Sequence, residues 1–132
     1  MSASSNYTEN RTLDFWLKAN STTTTAPSTV YVALFTSDPA DDASGTEVST
    51  SGTAYVRKAV TFGTISGGSV SNSANVTFDA ATASFGTVTH IGIFDASSSG
   101  NLLFHGALDA SKSIDTGDTF QITTGNLTVT MA

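Results

Sequence analysis

The sequence predicts an all-β fold, an antiparallel β-sandwich or jelly roll of about seven to eight strands with one short N-terminal helix. Three observations predict it. Thr and Ser outnumber the strong helix formers, a composition that favours strands and turns. Runs of branched and aromatic residues recur at about 8 to 12 residue intervals, separated by Gly, Asn and Asp clusters. Between Phe85 and Ala110 two apolar-rich arms flank the cluster Ala96-Ser97-Ser98-Ser99-Gly100-Asn101, the sequence form of a β-hairpin. Apolar residues fall on both faces of each arm, Ile91, Ile93 and Phe94 in the first and Leu102, Leu103 and Phe104 in the second. That suits a strand pair buried on both sides at the centre of the fold.

A chain of 132 residues supplies one core, and with no cysteine its stability rests on packing alone. The division expected is residues 1–27 as helix and polar linker and residues 28–132 as the sandwich. The helix begins where Asn6 can cap with Glu9 three residues on. Leu13, Trp16 and Leu17 then fall at i, i+3 and i+4 as one apolar stripe, flanked by Phe15, and the polar run Asn20 to Pro27 ends the element. A single short helix is marginal alone. Its stripe therefore docks either on its own sheet or into a partner, which makes Leu13, Phe15, Trp16 and Leu17 candidate partner-binding residues.

Thr29 to Thr36 reads as a core strand, stopped at Ser37-Asp38-Pro39 because proline lacks a ladder donor. The loop to Thr53 carries Asp41, Asp42 and Glu47, which with Asp38 form an acidic stretch lacking the spacing of a calcium loop. In the next strand, Val56, Lys58, Val60 and Phe62 are expected on one face and Tyr55, Arg57, Ala59 and Thr61 on the other. Arg57 and Lys58 are the only adjacent basic pair, available to that acidic loop or to an acidic neighbour. Gly67-Gly68 marks a hairpin turn, and strands at Asn75–Asp79, Phe85–Asp95, Leu102–Ala110, Thr119–Ile122 and Leu127–Met131 follow.

Charge excludes some functions. Five basic residues against eleven acidic ones give a net charge of -6, too few cations for a groove that tracks phosphates, so direct nucleic-acid binding is not expected. Charged residues are 12% of the chain, sparse for a free monomer, which points to a homo-oligomer or a subunit hidden among neighbours. The N-terminus lacks a signal-peptide apolar run and no long apolar span occurs, so the expectation is a protein made in the cytoplasm without membrane insertion.

Chemistry has few candidates. If Asp95 pairs with Leu102 across the hairpin, His90 lies opposite Ala107 and His105 opposite Gly92, with both imidazoles on one face. A metal there would want a third ligand, which only Asp109 offers nearby, and packed, hydrogen-bonded histidines are the simpler reading. No Gly-x-Ser-x-Gly elbow exists, and the Asp41 and Asp42 pair lies in a loop without apolar walls. Neither enzyme activity nor a cofactor is expected. Tyr31, Tyr55, Phe94 and Trp16 could form a sugar-stacking shelf, although all but Trp16 lie within strand patterns that place them in the core.

Several segments taken together carry a family resemblance. They are Tyr31 to Pro39, Gly45 to Ser49, Tyr55 to Phe62, Thr87 to Asp95 and Gly100 to Leu108. In this order they resemble small β-rich virion structural proteins of tailed bacteriophages, a family commonly labelled tail fibre proteins. The resemblance implies a non-enzymatic component of the virion, made in the host bacterial cytoplasm, whose partners are phage capsid or tail proteins. A capsid decoration or cement protein on the head exterior is the first expectation. A tail fibre or baseplate-associated module that binds a host glycan is the second.

Overall fold

The structure, a computed structural model, describes residues 2–19 and 24–131. It is all-β with one helix. In chain order the elements are β1 (Ala3–Ser4), α1 (Asn6–Leu17), β2 (Val30–Phe35), β3 (Lys58–Val60), β4 (Ser69–Ser71), β5 (Val76–Thr77), β6 (Gly86–Phe94), β7 (Leu102–Ile114), β8 (Gln121–Ile122) and β9 (Thr128–Thr130). The main sheet is antiparallel with strand order β1-β7-β6-β2-β3, and two short ribbons, β4-β9 and β5-β8, stand apart from it. The ribbons form the second layer. Val76, Phe78, Phe120, Ile122, Leu127 and Val129 from that side meet Val32, Leu34, Ile91 and Ile93 of the main sheet in one buried cluster.

The hairpin of β6 and β7 is the centre of this sheet, but the two-sided burial expected of both arms holds only along β6 from Ile91 to Phe94, while β7 is half-buried at Leu103 to His105 and mostly exposed beyond Gly106. One face enters the sandwich core. On the other, Ala33, Phe35, Phe94 and Leu102 form a smaller core of their own. Gly92 makes that second core fit: a Cβ there would lie 2.9 Å from Leu102 Cδ1 and 3.1 Å from ring atoms of both Phe35 and Phe94. The two phenylalanine rings stack with centroids 6.1 Å apart.

Two irregularities set which residues face where. A register shift between Val88 and His90 changes the inward parity of β6, so that Val88 and then Ile91 and Ile93 point into the core. A second, between Ile93 and Phe94, pairs Leu102 with Phe94 rather than with Asp95, the partner expected from sequence. Between the two shifts the expected register holds, with His90 opposite Ala107 and Gly92 opposite His105. The alternation expected over Tyr55–Phe62 holds only from Lys58 onward. Tyr55 is buried and Val56 exposed because the ladder starts at Lys58, and Ala54 enters with a φ of 64°.

The cap of α1 is Ser5, one residue before the Asn6 expected. Its hydroxyl accepts from Thr8 N at 3.2 Å and donates to the carbonyl of Leu102, so the side chain that starts the helix also pins it to β7. Ser5 N donates to Leu103 O at 3.0 Å, and Ala3 and Ser4 pair with His105 and Phe104. Ser2 Oγ accepts from Thr130 N at 3.0 Å, tying the first residues to the second layer as well. The N-terminal segment, divided from the sandwich at residue 27 by sequence, is thus stitched into both layers. Gly67 and Gly68, with φ of 60° and 74°, make the tight turn expected of them, closed by the Ser66 and Ser69 bridge.

Candidate functional site

The helix is held by polar bonds along its first turn and buries none of its residues. Beyond that turn its apolar stripe stands free of the sheet. Leu13 is 56% exposed, Phe15 51%, Trp16 75% and Leu17 75%. Phe15 and Trp16 meet edge to face with centroids 5.2 Å apart. Docking on the chain's own sheet, one of the two arrangements open to this stripe, does not occur.

Beside the stripe the surface is concave. A groove of about 240 Å³ runs between the helix and the irregular segment preceding β2, with Phe15, Trp16, Pro27, Leu103 and Phe104 among its walls. Leu103 and Phe104 also wall a second groove of about 340 Å³, whose other sides are Val30, Phe62, Ile65 and Val70. The lining of this second groove contains no charged residue, and Ile65, on its rim, is 74% exposed. The two grooves adjoin at Leu103 and Phe104; Phe15 and Trp16 of the stripe form part of the first, whose lining also includes Arg11, Asp95 and several threonines. Sequence singled out the stripe by its helical spacing but not the groove. The walls of the second groove come from β2, β6 and β7 of the main sheet, from the β4-β9 ribbon and from the segment after β3, and only the packing of ribbon against sheet brings them together. Ile65, a lone apolar residue in a polar turn, was the one local signal.

The basic pair is placed differently. Arg57 turns inward with its side chain 8% exposed. Its Nε and Nη2 hold both oxygens of Glu47 at 2.9 and 2.8 Å, and Nη1 donates to the carbonyls of Ala96 and Ser99. Burial works against its charge, but the Glu47 carboxylate outweighs it and raises the Arg57 pKa. Tyr55 donates its hydroxyl to the same carboxylate at 2.6 Å and accepts from Leu34 N at 3.0 Å. Desolvation, reinforced by that carboxylate, pushes the Tyr55 phenol well above its ordinary range. Arg57 thus takes the nearer of its two expected partners, the acidic loop. Lys58 pairs with Asp79 at 3.1 Å.

Neither histidine shares a ligand with the other. His90 Nδ1 lies 2.8 Å from Thr89 Oγ1, while His105 Nε2 lies 2.8 Å from Asp41 Oδ1 and its Nδ1 3.7 Å from Asp38. The two carboxylates sit on different nitrogens of one ring, so they tie the loop to β7 instead of converging on a shared point. Among the described residues no group of three or more His, Cys, Asp or Glu side chains is placed to hold a metal. The aromatic shelf is not assembled either, since Tyr55 is 1% and Phe94 5% exposed.

The described residues thus form a two-layer β fold that leaves a largely apolar surface open beside its one helix. Over residues 3–130 the chain matches the family described as podophage GP4 fiber I protein gp80. It belongs to that family and is accordingly a phage structural protein, a component of the virion. No curated protein matches the chain. Among the described residues no helix is long and apolar enough to cross a membrane.

Proposed function

We propose that the chain is a fibre-type structural module of the phage tail, attached to its neighbours through the apolar stripe of α1 and the grooves beside it. The observation that carries this reading is the exposure of four large apolar side chains on one short helix whose own sheet leaves them uncovered. Large exposed apolar patches are uncommon on free proteins, and the largest patch on a monomer is often an interaction site. The fibre name of the family favours the tail over a decoration role on the head. Work by binding and not by catalysis is supported by how the polar side chains are used, with Arg57, Glu47, Tyr55 and His105 all engaged in holding loops to strands.

Heads and tails separated from purified particles test the reading. Quantitative mass spectrometry should find the chain with the tails, in tens of copies or fewer per particle. Hundreds of copies on tail-free heads would support a decoration protein and overturn the proposal.

A further inference from the structure

We infer that His105 is a pH-responsive latch on the N-terminal arm, its charge setting how firmly β1 and α1 are held against β7. The latch acts on the element given the attachment role above and rests on that reading for its use in the particle, while its test reads the isolated chain alone.

Three contacts close one ring around the arm. The backbone of His105 pairs with Ala3 in β1. Three residues on, at the start of α1, Asn6 N donates to the carbonyl of Asp41 at 2.9 Å. The carboxylate of the same Asp41 lies 2.8 Å from His105 Nε2. The arm is therefore enclosed by a circuit that closes at the imidazole. Its other ties to β7, from Ser5 to Leu102 and Leu103 and from Thr8 to Leu103, use hydroxyls and peptide groups that keep their charge state near neutral pH.

Histidine is the side chain that ordinarily changes charge in that range. Charged, the ring has a proton on each nitrogen, so that Nε2 serves Asp41 while Nδ1 faces Asp38 at 3.7 Å. Neutral, it keeps one proton, and one of the two carboxylates then faces a lone pair. Both carboxylates reach the ring from the acidic loop, whose next residue, Asp42, turns its own carboxylate to Ser44 N. The other elements against His105 bring uncharged residues: Ala3 and Ser4 from β1, Gly92 from β6, and Leu127, Thr128 and Val129 from the second layer. The ring is 10% exposed, against 52% for Asp41 and 63% for Asp38, so the latch is closed from the water side. Little else resists its opening, because α1 buries none of its residues and the arm can lift without disturbing the core. Loss of the His105 proton as pH rises therefore favours the lifted arm.

Amide exchange followed by NMR from about pH 5 to 8, corrected for the intrinsic rate, tests the latch, with the His105 ring resonances reporting its own protonation. Protection of Ser5, Asn6 and Glu9 should fall by about threefold or more in step with loss of the His105 proton, while the amides of β6 hold theirs. His105→Gln, which keeps a donor and never carries a charge, should abolish that fall, and Asp41→Asn should reduce it. His90→Gln, at a ring bonded to Thr89 instead, should leave it intact. Arm protection that stays constant while His105 titrates would overturn the inference, and so would a fall that persists unchanged in His105→Gln. Either result would leave attachment through the stripe to be decided by particle fractionation, and a head location there would leave the latch standing.

Discussion

The guanidinium carbon of Arg57 lies 3.7 Å from the centre of the Phe94 ring while its nitrogens clasp both oxygens of Glu47. One side chain therefore joins the acidic loop, the segment before β3 and the turn of the central hairpin, and it covers the outer core as it does so. Removing it leaves Glu47 partly buried without its counter-charge and uncovers Phe94. Arg57→Ala should lower the unfolding free energy by about 3 kcal/mol in a urea titration. Arg57→Lys should recover only part of this, because an ammonium has neither the fork for a bidentate carboxylate nor a flat face for the ring.

Tyr55 gives the fold a dependence on alkaline pH. Its folded-state pKa is raised above the unfolded value, so the neutral phenol stabilises the fold fully below about pH 10, the ordinary tyrosine value. Above that pH only the unfolded chain releases the proton, and stability falls as pH rises. The urea midpoint should drop between pH 9 and 11, and Tyr55→Phe should flatten that drop. The same variant should be less stable at neutral pH by about 1–3 kcal/mol, since Leu34 N and Glu47 lose their partner.

Gly92 is required by space on the outer face of the hairpin. Its backbone conformation is not the constraint; the crowding by Leu102, Phe35 and Phe94 is. Gly92→Ala should cost about 1–3 kcal/mol, the usual penalty for forcing a methyl group into a filled core. Pairing it with Leu102→Ala should cost less than the sum of the two single changes, a coupling that a double-mutant cycle would measure.

Ser5 fixes where the helix stands. Ser5→Ala removes the acceptor for Thr8 N and the donor to Leu102, and should cost about 1 kcal/mol. Because the helix buries none of its residues, the loss should be local. Amide exchange should accelerate through the helix while the amides of β6 keep their protection.

What was legible in the sequence followed from local pattern. The hairpin could be read because branched and aromatic residues crowd both faces of two arms around one polar turn, and four of its pairs stand in the expected register. The helix was legible from the spacing of Leu13, Trp16 and Leu17, but its cap was displaced to Ser5, whose strength as a cap comes from a carbonyl 97 positions away. Tyr55 is in the core as its pattern implies, but the alternation expected from Tyr55 to Arg57 fails because the ladder begins only at Lys58. Least legible was the groove. Val30, Phe62, Ile65 and Phe104 each look like ordinary strand or turn residues, and only the tertiary arrangement of the sheet and the segment after β3 makes them neighbours. Arg57 illustrates the same limit in charge. Its spacing left both an internal and an external partner open, and the nearness of Glu47 in space chose the internal one.

The claim that the chain joins its neighbours through the helix stripe is tested most directly by incorporation. Phage carrying Trp16→Ser and Leu17→Ser together, at positions 75% exposed and so outside the core, should produce a chain that melts as the unmodified one does. Purified particles from that phage should lack it, at less than a tenth of the normal amount by quantitative mass spectrometry. A folded double variant present in particles at the normal amount would contradict the account.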